Sequence, residues 1–169
     1  MRGWALAVGG HGQEGITQIQ QGLAAYRATG AAAYRPYHLA LLAEASALGG
    51  QSAAGLEVLT EALAMLPKSR ARWWEAELHR LRGALLVQHA VAQPGEVEAC
   101  FQQALAVARR QQAKSLELRA AMSLGRLWQQ QGRRTEARAL LAPVYGWFTE
   151  GFDTADLQDA QILLEELGG

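Results

Sequence analysis

Small and large apolar residues recur along this chain in a fixed order. Gly15, Ile19 and Gly22 form one set; Gly55, Leu59 and Ala62, then Val97, Phe101 and Ala104, then Ala137, Leu141 and Val144 repeat it. Spacings of four and three place each set on a single face of a helix. Upstream of each set lies another small residue: Gly3, Ala43, Gly83 and Gly125. Successive members of this second series are 40, 40 and 42 residues apart, and those of the first are 40, 42 and 40 apart. The two extra residues fall between Gly83 and Val97, in the stretch 88–94. Gly10, Gly50 and Gly132 each stand five residues before their small partner and mark turns. Two marker series and a third partial one therefore agree on one period.

Each period reads as two antiparallel helices. Where such helices cross closely, anything larger than alanine pushes the backbones apart, which explains the small residues. The spacing predicts helices over 37–48 and 53–66 in the second unit, 73–89 and 96–110 in the third, and 115–131 and 135–148 in the fourth. Pro94 suits a first helical turn, and Gly132 suits a left-handed cap. Pro143 is expected to kink or break its helix near 139–142. No single hairpin buries its apolar face alone, so the units must stack. The expected organisation is one domain, 1–169, with hairpins at 1–29, 31–67, 72–112 and 114–150 and a capping helix at 154–167. Only nine residues precede Gly10, so the first helix reads as halved and the chain as a segment of a larger protein.

Composition reinforces this all-α reading. Half of the 169 residues are hydrophobic; Ala and Leu dominate them, Val and Ile are few, and strong helix formers fill the rest. No stretch alternates with the period of a strand. Sixteen basic residues balance sixteen acidic ones, which argues against a nucleic-acid or anionic-membrane partner. The balance is uneven: residues 69–138 carry twelve basic and six acidic residues, and residues 139–169 carry six acidic and no basic ones. These charges are expected to meet across the stack. A single cysteine, Cys100, excludes an internal disulfide. With no membrane-length apolar run and no leader-like start, a cytoplasmic protein is expected.

The small–large–small pattern resembles the tetratricopeptide repeat (TPR). Gly3/Leu6, Ala43/Ser46, Gly83/Leu86 and Gly125/Trp128 match that family's first helix, and the four sets above match its second. The period exceeds the family's usual 34 residues by about six, Ser46 is smaller and Val97 and Val144 larger than its pattern, and its inter-repeat proline is mostly missing. The longer period is similar to that of the maltose-regulon activator and related bacterial signalling proteins. The runs 72–78 and 147–157 resemble the C-terminal repeat region of bacterial proteins that join a nucleotide cyclase and an NTPase domain to such repeats. The resemblance implies a right-handed α-α superhelix and a scaffold role in signalling.

Residues that carry chemistry are scarce. Gly10-His11-Gly12-Gln13-Glu14-Gly15 fits the dinucleotide-loop string, but a helix precedes it and no acid follows about twenty residues on. Gly50 and Gly55 repeat its outer glycines, so that spacing belongs to the hairpin. His11, His38, His79 and His89 lie in separate elements without metal-ligand spacing. Cys100 precedes Phe101 on a packing face and reads as a buried thiol. No catalytic residue, cofactor or metal is expected, and the chain does not read as an enzyme.

What remains is a binding surface. In the family that the chain resembles, the first helix of each hairpin lines the concave side. That implies a groove built from Tyr37, Glu44, Glu77, Arg80, Arg119, Met122, Arg126 and Gln129. Arg80, Arg119 and Arg126 form a basic strip suited to the carboxylates of an acidic peptide, unless Glu77 or Glu117 already pairs with it. Trp73-Trp74 reads as one core-facing and one partner-facing indole. A protein or peptide partner is expected; the alternative is a small-molecule effector, favoured if the concave side holds an aromatic pocket with convergent polar groups. The halved first helix leads to a further expectation. Ile16, Ile19, Leu23 and Tyr26 should be partly uncovered and should pair two copies through the N-terminal hairpin.

Overall fold

The computed structural model describes residues 2–68, 72–89 and 93–169. Among them run α1 (Arg2–Val8), α2 (Gly12–Ala28), α3 (Arg35–Leu48), α4 (Ser52–Met65), α5 (Glu75–Gln88), α6 (Pro94–Gln111), α7 (Lys114–Gln130), α8 (Arg134–Tyr145) and α9 (Ala155–Gly168), with no strand. Residues 90–92, within the stretch that holds the two extra residues, lie outside the described residues. No helix among the described residues is long and apolar enough to cross a membrane.

Every helix packs on the next in sequence. In addition α1 packs on α3, α3 on α5, α5 on α7 and α7 on α9. The odd-numbered helices thus form a continuous inner layer, against which the even-numbered ones pack from outside. α9 takes the place of a fifth inner helix. Its Leu157, Leu163 and Leu167 are buried against the fourth hairpin, whereas Ile162 is 54% exposed.

The turns explain why the pattern is so regular. Gly10, Gly50 and Gly132 take φ values of +89°, +72° and +79°. At each, the following N–H reaches back five residues: His11 to Leu6 O, Gln51 to Ser46 O, and Arg133 to Trp128 O. The glycine's own N–H bonds three residues back. This double closure satisfies two carbonyls that the helix end would otherwise leave unpaired, and it needs a left-handed residue. Gln112 makes the same closure between α6 and α7 at φ +54° without being glycine.

The crossings bury the expected residues. Leu59, Ala62, Ala104, Ala137 and Leu141 are fully enclosed, and Val97 and Phe101 nearly so. Ser46, small for its position, is also buried, and its hydroxyl donates to Leu42 O at 2.8 Å. Pro143 does not break α8: the helix runs through it to Tyr145. The proline lacks only the one N–H that would have bonded to Ala139 O, and the rest of the helix continues to Tyr145.

One expectation at the N-terminal end is corrected. Ile16, Ile19 and Leu23 are buried, at 3%, 8% and 8% exposure, rather than uncovered. Gly3 brings α1 so close that a Cβ there would lie 2.9 Å from Ile19 Cγ1, and Gly49 of the next hairpin sits on Ile16. Tyr26 is half-buried, its ring edge-on to His38 at 5.1 Å. Ile16, Ile19 and Leu23 are thus covered by the chain itself, while Tyr26 stays partly uncovered.

A candidate binding pocket on the inner layer

The inner layer encloses a hollow of about 360 Å³, lined by Trp4 of α1, Tyr37, Ala40, Leu41 and Glu44 of α3, Trp74 and then Glu77 and Leu81 of α5, Arg119 of α7 and Asp156 of α9. All five inner helices contribute. Several of these positions follow the 40-residue period: Trp4 and Glu44, Tyr37 and Glu77, Leu41 and Leu81. Equivalent residues on successive hairpins face the same side, so the stack turns a repeat into a wall.

One flank is aromatic. Tyr37 lies 5.4 Å from both Trp73 and Trp74, ring centre to ring centre, and the two indoles are 5.1 Å apart. Trp74 turns into the pocket and is half-buried, whereas Trp73 is 44% exposed. The pair thus splits into one inward and one outward ring, and Tyr34, 6.5 Å from Trp73, carries the aromatic surface further out. On the opposite flank Trp4 Nε1 donates to Glu44 Oε2 at 2.6 Å.

The floor is ionic. Glu77, 3% exposed, accepts from Arg80 Nε at 2.9 Å and Arg80 Nη2 at 2.7 Å, and Arg119 Nη1 lies 3.0 Å from it. Burial works against the Arg80 charge, but the hydrogen bonds and field of Glu77, with Glu44 and Asp156 adding theirs, hold its pKa above the ordinary value. Arg119 Nε also lies 3.8 Å from Asp156, and Arg126 lies 3.9 Å from Asp159. The basic middle of the chain therefore does meet the acidic C-terminal stretch.

Of the eight groove residues expected from sequence, Tyr37, Glu44, Glu77 and Arg119 line this pocket. Arg80 and Arg126 border a separate hollow between α5 and α7. Gln129 is half-buried and donates to Glu166 at 3.2 Å. Met122 is corrected: at 4% exposure it sits in the core with Leu118 and Leu141, because its face of α7 packs inward. Of the two readings of the basic strip, the paired one is found: Arg80 and Arg119 pair with Glu77, and Arg126 pairs with Asp159. Sequence reasoning missed Trp4, Ala40, Leu41, Leu81 and Asp156. The period marked Trp4, as the residue 40 before Glu44. Asp156 was hidden because α9 read as a cap and not as a fifth inner helix.

Other candidate chemistry stays dispersed. Among the described residues no three His, Cys, Asp or Glu side chains gather in a way that would hold a metal ion. Cys100 is buried, and burial pushes its thiol pKa up, away from the reactive thiolate.

No family model matches the chain. An uncharacterized protein of Rhizobium meliloti (strain 1021) is 34% identical over 125 residues, which is 74% of this chain and 12% of that protein. The chain therefore spans about an eighth of that relative's length. A crystal structure of nearly identical TPR-like repeats, described as putative kinesin light chain from Podosopora anserina, superposes with a TM-score of 0.68 at 19% identity, covering 98% of this chain and 81% of that one. A variant of the same repeat protein gives 0.67 at the same identity, over 98% and 89%. The chain has the fold of a TPR-like helical-repeat solenoid.

Proposed function

We propose that this chain is a protein-interaction module that holds a segment of a partner polypeptide along its inner layer, with the pocket between Trp4 and Trp74 as the anchor point. One observation carries the reading. The aromatic surface does not end at the pocket mouth but continues through Trp73 to Tyr34, at 44% and 55% exposure. A surface of that length suits an extended or helical segment, and exposed indole and phenol rings are the side chains most often found as interface anchors. The TPR-like fold supports the same role. The chain's 12% share of its Rhizobium relative supports placing the module inside a longer bacterial signalling protein, in line with the resemblance to cyclase–NTPase–repeat proteins.

A photocrosslinking amino acid tests this directly. Placed at Tyr37, on the inner layer, it should capture polypeptide partners; placed at Gln20, exposed on α2, it should not. Equal capture from both positions would remove the inner layer from the proposal.

The pocket also supports a second reading. Its volume falls in the range of about 300–1,000 Å³ typical of small-ligand sites, and its aromatic walls surround Glu44, Glu77, Arg119 and Asp156. A small effector bound there would raise the melting temperature of the chain in the absence of any peptide.

A further inference from the structure

We infer that the pocket receives a basic side chain, arginine or lysine, from the bound segment, with Glu44 as its counter-ion and the rings of Trp4, Tyr37 and Trp74 as its walls. The inference rests on the interaction-module reading above and reverses the partner charge expected from sequence.

The charge balance is the first reason. Three carboxylates line the pocket, Glu44, Glu77 and Asp156, against one guanidinium, Arg119. Arg119 and the neighbouring Arg80 are both held by Glu77, at 3.0 and 2.7 Å. Glu44 has no such partner. Its Oε2 accepts the Trp4 indole N–H, and it makes no ion pair among the described residues. Arg80 feels the field of Glu44 but closes on Glu77 instead, so this half-buried carboxylate still favours an added cation, because opposite charge is worth more where water is thinned.

Wall chemistry is the second reason. Aromatic faces are negative and attract ammonium and guanidinium groups within about 6 Å of the ring centre. This chain already shows the contact elsewhere: the Arg133 guanidinium lies 4.5 Å from the Trp128 ring centre, while Trp128 Nε1 donates to Glu98 at 2.9 Å and Arg133 pairs with that same Glu98 at 3.2 Å. Trp4 and Glu44 reproduce the tryptophan–glutamate half of that arrangement without the arginine. The missing third member is what a basic side chain of the partner would supply. An acidic side chain would instead face Glu44 and the negative ring faces, and an aliphatic one would bury Glu44 without a counter-charge. Glu44 and Asp156 add to the stronger effect of Glu77 in holding the Arg80 pKa above its ordinary value, in keeping with a negative pocket.

The test uses the 169-residue chain and degenerate twelve-residue peptide mixtures, each with one fixed central residue: Arg, Lys, Glu or Leu. Binding is read by tryptophan fluorescence and by titration calorimetry. The Arg and Lys mixtures should bind best, and Glu44→Gln should weaken them about tenfold or more without weakening the Leu mixture. Glutamine keeps an oxygen to accept the Trp4 N–H, so the variant removes charge and not the hydrogen bond. Preference for Glu or Leu on the unaltered chain overturns the inference and leaves the interaction module standing. Binding of ethylguanidinium alone, with no peptide mixture bound, overturns it in favour of a small-cation site. If no mixture and no small cation binds, the interaction reading falls as well.

Discussion

The first and fourth hairpins use the same repeat positions at very different distances. In the first, a Cβ added to Gly15 would lie 2.5 Å from Gly3 O and 2.8 Å from Ala7 N. Both are backbone atoms, which do not move aside cheaply. In the fourth, a Cβ added to Gly125 would meet Leu163 Cδ2 at 3.6 Å and Ala137 Cβ at 4.0 Å, ordinary contact distances. Two short residues at one crossing let the helices touch backbone to backbone; Ala137, one carbon larger, holds them slightly apart. Leu163 of α9 then fills the remaining space from the neighbouring inner helix. A recurring small residue therefore marks where helices cross, but its partner across the crossing decides how close they come.

Substitution at the two glycines separates these cases most strongly. Gly15→Ala should destabilise by about 3 kcal/mol, at the upper end of overpacking costs, because only backbone displacement relieves the clash. The same change at Gly125 should be neutral, or should stabilise by up to about 1 kcal/mol, as alanine is the better helix former. Urea unfolding of both variants gives the difference, and equal losses would mean that the fourth crossing is as tight as the first.

A larger side chain closes the gap between the hairpins. Gly125→Leu should cost roughly 2 kcal/mol, since Leu163 must leave its place and α9 must shift with it. Removing the obstacle tests that route: in a Leu163→Ala background, thermal melts should show a smaller loss from Gly125→Leu. An unchanged loss would place the strain between α7 and α8 instead.

The turns should show a smaller effect, alike at both ends. Gly132→Ala forces a residue with a Cβ to φ +79°, with no atom within 4 Å to clash, so conformational strain alone should cost about 1 kcal/mol. Gly10, at φ +89° and equally uncrowded, should respond by the same amount. A gap between the two melts beyond about half that value would show that the turns, and not only the crossings, differ between hairpins.

Acid should affect the fourth hairpin selectively. Burial alone would raise the pKa of Glu117, at the start of α7, but hydrogen bonds from Lys114 at 2.7 Å and Arg109 at 2.9 Å outweigh it and hold the carboxyl below its ordinary value of 4.5. A depressed folded-state pKa contributes stability that is complete above that value and is lost as pH falls through the lower, folded one. Glu117→Gln should therefore flatten the decline in melting temperature below pH 4.5 while lowering the melt at pH 7. A steeper decline in the variant would contradict this assignment.

The two crossings also show how far the sequence could be read. Spacing placed Gly3 and Gly15 opposite each other, and likewise Gly125 and Ala137, because helical periodicity is a local property that ties residue number to helix face. It could not say that Ile16, Ile19 and Leu23 would be covered. Their burial depends on how closely α1 lies on α2 and on Gly49 arriving from the next hairpin. Half of the expected groove was legible for the same reason: Tyr37, Glu44, Glu77 and Arg119 follow from the face of each inner helix.

By itself, then, the amino-acid order determined the 40-residue period, the helical hairpins, the left-handed turns and the positions of close crossing, all set by interactions a few residues apart. The stack decided the rest. Met122 went to the core, Arg119 closed on Glu77, and Asp156 reached the pocket from a helix that reads in sequence as a cap. These outcomes depend on side chains some 40 residues apart meeting at a few ångströms, and small rotations between hairpins, invisible in any one repeat, fix which charges pair and which face the partner.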